Sequence, residues 1–271
     1  MYLAVDIGGT KTLVATIGDD AVIQEKHRFP TPKDYESLLQ GLHEAADKFE
    51  TKRFKGGGVG VPGSIDYEKG ISLGSPNVGW GHVPLRDDCA KIFGCEFIID
   101  NDANMAALSE AMLHKECETV LYFTISTGIG TGLVRGQHID PALLKSEGGH
   151  IVLPYKDKLM DWEDFASGRA IVQEFGKRAE EITDEDDWRT IAHNLALGFF
   201  AHIAILQPDL IIVGGSIGTY FGRYGKYLVE ELKRYEVPIV PVPPIVEAKR
   251  PEEAVLFGCY DAAKQSFGSD G

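Results

Sequence analysis

Apolar, β-branched-rich runs at Tyr2–Val5 and Thr12–Ile17 flank the polar and glycine-rich stretch "DIGGTK", residues 6–11. Runs of this kind predict strands, and the paired glycines predict a tight turn, so the chain opens as a hairpin rather than a strand feeding a helix. "AVIQEKHRF" predicts a third strand. In "DYESLLQGLHEAADKFE", Leu38, Leu39, Leu42, Ala45, Ala46 and Phe49 recur along one helical face. "GGGVGVPGSID" predicts a short strand with a Gly-Pro turn, Pro84 opens a helix running to Phe93, "FIID" at 97–100 is a buried strand, and "DANMAALSEAMLHK" is a helix with Asp102 at its start.

A second cycle begins at "TVLYFTISTGIGTGLV", residues 119–134, where an apolar strand again runs into hydroxyls and glycines and then into another strand. "RAIVQEFGKRAEE" and "WRTIAHNLALGFFAHIAILQ" predict helices, "LIIVGGS" a strand ending in a glycine turn, and residues 252–267 a last helix. Strands alternating with helices predict mixed α/β domains, and the similar hairpins suggest two related halves.

The glycine turns narrow the chemistry. Amides without Cβ obstruction can point together at phosphate oxygens, and Asp6 beside them makes sense if Mg²⁺ lies between carboxylate and phosphate. Taken alone, the stretch is equally an ordinary hairpin turn. "ISTGIGTG" nearly imitates a dinucleotide fingerprint, but Leu133 stands at the third glycine position and a strand follows, so Thr127, Gly128, Gly130 and Thr131 suit a second phosphate cradle better.

Composition excludes some partners. The chain has 271 residues, 44% of them hydrophobic, enough for two packed cores, and a formal charge of −14 that repels nucleic acid and anionic membranes. With no basic leader and no apolar run approaching a membrane span, a cytoplasmic location is expected. Cys89, Cys95, Cys117 and Cys259 have neither metal spacing nor disulfide density.

Taken together, the two hairpins, Asp6 and the Gly214–Gly215 turn resemble the phosphate and adenosine motifs of the actin-like ATPase fold. Asp6–Lys11, "GVPGSID", "SPNVGW", "NDAN", "EGGH" and "WEDFASGRA" resemble, in order, the motifs of the ROK family of bacterial sugar kinases and repressors, over nearly the whole chain. The resemblance implies an α/β, two-lobed actin-like ATPase (ribonuclease H-like) fold. Its first lobe would comprise 1–102 plus 254–271 and its second 103–253, with MgATP and a hexose in the cleft between them.

By the same resemblance, Asp6, Gly8, Gly9, Thr10, Lys11, Thr127, Gly128, Gly130, Thr131, Gly214 and Gly215 would bind the nucleotide, with Asp6 serving the Mg²⁺. Asp102 would be the catalytic base that takes the proton from the attacking sugar hydroxyl, while Asp100 ends the preceding strand outside that motif position. Asn77, Asn101, Asp102, Glu147, His150 and Glu163 would bind the sugar.

One departure stands out. Many family members carry a Cys-rich zinc motif after the histidine, but "HIVLPYKDKLMDWE" has no cysteine, so no structural zinc is expected and Tyr155 and Trp162 are expected to pack the loop. The implied activity is ATP-dependent phosphorylation of the glucose 6-hydroxyl, with fructose, an N-acetylated hexosamine or allose as other acceptors. Some zinc-less relatives use polyphosphate as donor, but the adenosine motif favours ATP. The rival is a non-catalytic sugar sensor, since the family includes repressors. Those carry a helix-turn-helix domain ahead of the phosphate hairpin, and this acidic chain retains both Asp6 and Asp102. A homodimer is a family expectation.

Overall fold

The computed structural model describes residues 1–268, which fall into two units: Met1–Leu113 together with the chain from Glu252 onward, and His114–Pro251. The first unit begins with β1 (Tyr2–Ile7), β2 (Lys11–Ile17) and β3 (Ile23–Pro30), followed by α1 (Tyr35–Lys48), β4 (Gly57–Val61), a small hairpin of β5 (Ser64–Asp66) and β6 (Ile71–Gly74), α2 (Leu85–Phe93), β7 (Phe97–Asn101) and α3 (Asp102–Ala111). Its sheet runs β3-β2-β1-β4-β7, antiparallel across the first three strands and parallel across the rest. Asp34 caps α1 by accepting the Ser37 N–H at 2.8 Å, and Leu38, Leu42, Ala45 and Phe49 of the predicted face are buried.

The second unit repeats this plan. Its elements are β8 (Thr119–Ile125), β9 (Ile129–Arg135), β10 (His138–Ile139), a hairpin of β11 (Val152–Tyr155) and β12 (Lys158–Asp161), α4 (Trp162–Ala166), α5 (Gly168–Phe175), α6 (Glu185–Leu206), β13 (Leu210–Gly214), α7 (Gly215–Gly218), α8 (Phe221–Lys233) and β14 (Ile245–Glu247). The sheet runs β10-β9-β8-β13-β14, with the same strand order and the same change from antiparallel to parallel pairing. Phe123 anchors its core, stacked on Phe199 at 4.3 Å and edge-on to Trp162 at 5.5 Å.

The last helix, α9 (Ala254–Phe267), returns to the first unit and packs on β1, β4 and α3. Glycines make room for it. A Cβ at Gly58 would lie 2.5 Å from the Cys259 carbonyl oxygen, one at Gly60 would lie 2.5 Å from Val255 Cγ1, and one at Gly258 would collide with the Met105 carbonyl of α3. Because α3 is buried against α9, it sits in the first unit, although the sequence expectation gave residues from 103 onward to the second lobe.

Other differences have local causes. The helix expected over 169–181 stops at Phe175, where Gly176 takes a left-handed conformation (φ +66°) and closes it, and Ala179–Glu181 is a separate single turn. α8 was not anticipated because Gly222 and Gly225 interrupt its apolar pattern, and the β11–β12 hairpin and the three-residue β14 were not anticipated either. Contrary to the expectation that no apolar run approaches a membrane span, α6 is long and apolar enough by composition to cross one. Its Trp188, Ile191, Leu195, Phe199 and Ile203 instead fill the core of the second unit.

Gly258→Ala should lower folding stability by about 1–3 kcal/mol or more, because rigid backbone on both helices must move apart. Gly222→Ala, in a helix with open space around it, should raise stability by up to about 1 kcal/mol. Denaturant midpoints of the two variants check both signs.

Candidate active site

Asp6 stands near the end of β1, where the chain turns into β2. The Gly8 N–H donates to the Lys11 carbonyl at 2.9 Å and closes the turn, leaving Gly9 and Thr10 at its tip. Thr31, the residue after β3, clamps it: its hydroxyl donates to the Gly8 carbonyl at 2.7 Å and lies 3.0 Å from Thr12 Oγ1, and its N–H donates to the Thr10 carbonyl at 3.1 Å. Sequence reasoning missed Thr31; its one signal is a hydroxyl between Pro30 and Pro32, neither of which has an N–H to offer. A Cβ on Gly9 would lie 3.2 Å from Asn77 Cβ, so Asn77 sits against the turn.

β7 passes directly into α3 and brings Asp100, Asn101 and Asp102 to the same end of the sheet. Asn101 caps α3, accepting the Ala103 N–H at 2.8 Å, while its amide donates to the Gly63 carbonyl at 3.1 Å. Both ends of that side chain are engaged within the fold, which leaves it one N–H and one acceptor lone pair for a ligand. Asp100 is buried, and its Oδ1 accepts from Tyr67 Oη at 2.9 Å, Asn101 N at 2.6 Å and Asn104 Nδ2 at 2.8 Å. That carboxylate braces the strand-to-helix junction.

Asp102 is less buried, and its Oδ1 takes the Ala103 N–H at 2.9 Å. It lies near enough to Asp6 for its charge to matter. Burial first, and then Asp102, push the Asp6 carboxyl up to about 7, with Lys11 pulling the other way.

In the second unit the turn between β8 and β9 meets three neighbours. A Cβ at Gly128 would lie 2.5 Å from Glu163 Oε2, which accepts the Ile129 N–H at 3.1 Å. The Ser126 carbonyl accepts the Gly168 N–H at 2.7 Å, and Ser126 Oγ accepts the Ser216 N–H at 3.0 Å. Gly215 (φ +77°) has room only for hydrogen, because a Cβ there would press on the Ile125 backbone. The Gly214–Gly215 turn is thereby brought onto the 126–128 turn. Thr127 is exposed at the tip and Gly130 pairs with Thr124, but Thr131 is buried, its hydroxyl accepting the Gly148 N–H at 3.2 Å. Thr131 thus supports the "EGGH" turn rather than the tip of the cradle.

That turn gathers Glu147, His150 and Glu163. Burial raises the Glu147 carboxyl above its ordinary range and Glu163 adds to the rise, while His150 opposes it. The His150 imidazole is raised chiefly by its hydrogen bond to Asp161, with Glu163 and Glu147 adding to the effect. The loop beyond is held by packing: Tyr155 stacks on Phe165 at 4.3 Å, and buried Trp162 donates from Nε1 to the Asn194 carbonyl at 3.1 Å. Among the described residues, no group of three or more His, Cys, Asp or Glu side chains is placed to hold a metal ion. A single hard carboxylate at a glycine turn nevertheless suits Mg²⁺, which keeps several waters and takes one or two carboxylates plus phosphate oxygens.

Gly128→Ala should displace Glu163 and break its bond from Ile129. The expected loss is about 1–2 kcal/mol, a hydrogen bond to a partly screened carboxylate. Faster amide exchange at Ile129, read beside a denaturation curve, checks it.

The N-acetyl-D-glucosamine kinase of Escherichia coli is 29% identical over 297 residues, spanning 95% of this chain and 97% of that protein. A ROK hexokinase from Thermus thermophilus superposes with a TM-score of 0.82 at 28% identity, with 98% of each chain covered. A ROK family glucokinase from Streptomyces griseus, in complex with glucose and AMPPNP, shares the fold at a TM-score of 0.80 and 23% identity, covering 97% of this chain and 99% of that one. The α/β architecture is accordingly the actin-like ATPase, ribonuclease H-like fold. With the ROK family pattern matching residues 2–266, the chain belongs to the ROK family.

Proposed function

We propose that the acceptor of this ATP-dependent sugar kinase is a hexose, the 6-hydroxyl of glucose being the first choice, and that Asp102 is its general base. The observation that carries the reading is the placing of Asp102 at the first residue of α3, within electrostatic reach of Asp6 at the Gly8–Gly9 turn. A hydroxyl attacking the γ-phosphorus must lose its proton, and a carboxylate in reach of that oxygen accepts it. Asp100 is a poor alternative, since three donors already converge on one of its oxygens.

The amides of the first turn, with Lys11, and the 127–130 and 214–215 turns would bind the nucleotide. Mg²⁺ held by Asp6, when bound, supplies charge neutralisation at the phosphates. Glu147, His150 and Glu163 supply donors and acceptors for sugar hydroxyls, replacing the hydrogen bonds that the sugar gives up to water. Asn77, against the first turn, and Asn101, through its remaining N–H, are secondary contacts. The Escherichia coli relative makes an N-acetylated hexosamine the main competing acceptor.

Asp102→Asn keeps size and hydrogen bonding but removes the proton acceptor. Turnover should fall by roughly 10²–10⁴-fold while the KM for sugar changes little. A coupled ADP-release assay over glucose, fructose, N-acetylglucosamine, N-acetylmannosamine and allose measures this and ranks the acceptors. Near-normal turnover by the variant would remove Asp102 from the base role, and absence of ADP release on every sugar would remove the kinase reading.

A further inference from the structure

We propose that Asp161 is the positioning residue of the sugar site: from the end of the β11–β12 hairpin it holds the His150 ring by Nδ1 and thereby fixes which nitrogen faces the substrate. The proposal rests on the reading of His150 as a sugar-binding residue. His150 Nδ1 lies 3.0 Å from Asp161 Oδ2, and both side chains are partly exposed, at 55% and 39%.

Two features distinguish the contact from a casual surface pair. The first is what Asp161 forgoes. It is the residue immediately before α4, where an aspartate ordinarily accepts a helix N–H, as Asp34 does for α1 and Asp184 for α6. Asp161 makes no such bond and turns to His150 instead.

The second is rigidity on both sides. The Asp161 backbone pairs with Val152 across the hairpin, and the next residue, fully buried Trp162, donates its N–H to the Ile151 carbonyl at 2.9 Å. The His150 backbone closes a one-turn helix by donating to the Glu147 carbonyl at 3.0 Å. A Cβ on Gly149 of that turn would collide with the Ile129 carbonyl, and a Cβ on Gly148 would press on Thr131 and His202. Neither end of the pair is therefore free to drift.

The chemical consequence is a defined tautomer. A carboxylate at Nδ1 requires a proton there, so neutral His150 presents Nε2 as an acceptor and protonated His150 presents it as a donor. The charged groups facing the ring are Asp161 from β12, Glu147 from its own turn and Glu163 from α4; all three are acidic and favour the protonated form. Glu163 is in turn partnered by Arg169 at 3.4 Å. Asp161 acts on the sugar through His150.

The test uses the full-length protein and three readouts: the KM for the best acceptor sugar against kcat and the KM for ATP, the His150 ring ¹⁵N shifts and titration midpoint in the ligand-free protein, and thermal unfolding. Asp161→Ala should raise the sugar KM by roughly tenfold, with kcat and the ATP KM within about threefold, and should let the ring populate both tautomers. Asp161→Asn retains an acceptor for Nδ1–H. It should restore most of the sugar KM and the single tautomer, while the midpoint drops towards the ordinary histidine value because the charge is gone.

An unchanged tautomer and midpoint in Asp161→Ala would overturn the hold on His150. An altered ring with an unchanged sugar KM would overturn the positioning role. Similar unfolding temperatures for the two variants with different sugar KM values separate positioning from loss of fold. If the wild-type protein turned over no hexose, the kinase reading would fall by itself; sugar binding by calorimetry would then replace KM, and equal binding by wild type and Asp161→Ala would overturn the proposal.

Discussion

The position of the candidate base depends on a helix crossing more than two hundred residues of chain away from the opening strands. α9 can lie on β4 only because Gly58 and Gly60 present no side chains to it, and α3 can lie on α9 only because Gly258 leaves the Met105 carbonyl unobstructed. Backbone-to-backbone contact of this kind is stiff, since no rotamer change can relieve it. It fixes the start of α3, hence the direction in which Asp102 leaves the end of β7.

The rest of the site is built on the same economy of space. In the first unit, Thr31 locks the glycine turn from behind while Asp100 collects three hydrogen bonds beneath the helix start. In the second, the missing side chain at Gly128 is occupied by the Glu163 carboxylate. The β8–β9 turn and the Glu163 carboxylate therefore share one hydrogen bond, so that a shift at either is felt at the other. Acidic groups are also kept together: Asp6 beside Asp102, and Glu147 beside Glu163. Holding like charges in partly desolvated positions is unfavourable for the empty protein, and such arrangements are typical of places where a cation or a donor-rich ligand is to be accepted.

Much of this was legible in the residues. Alternating apolar runs and glycine turns specify the hairpins β1–β2 and β8–β9, and Asn101–Asp102 before an alanine-rich run marks the start of α3. What escaped was set by tertiary contact. Thr31 and Asp161 carry ordinary residue types whose roles appear only when the chain brings them to Gly8 and His150. α8 was hidden because Gly225 is there to admit the Phe221 ring, a packing requirement that erases the helical signature. The end of the 169–181 helix depended on the backbone conformation of Gly176, which composition alone did not reveal.

The return of α9 to the first unit sets an order of events during synthesis. Residues of the second unit are contiguous and can close around Phe123 as soon as Pro251 has left the ribosome. The first unit, although translated earlier, has an uncovered sheet face along β1 and β4 until the final helix emerges. The glycines that admit α9 leave that face of β4 without side-chain cover in that interval, the kind of incompletely packed surface that chaperones shield. The segment read first by the ribosome is thus completed last, and the vulnerable period lasts as long as translation of the intervening unit.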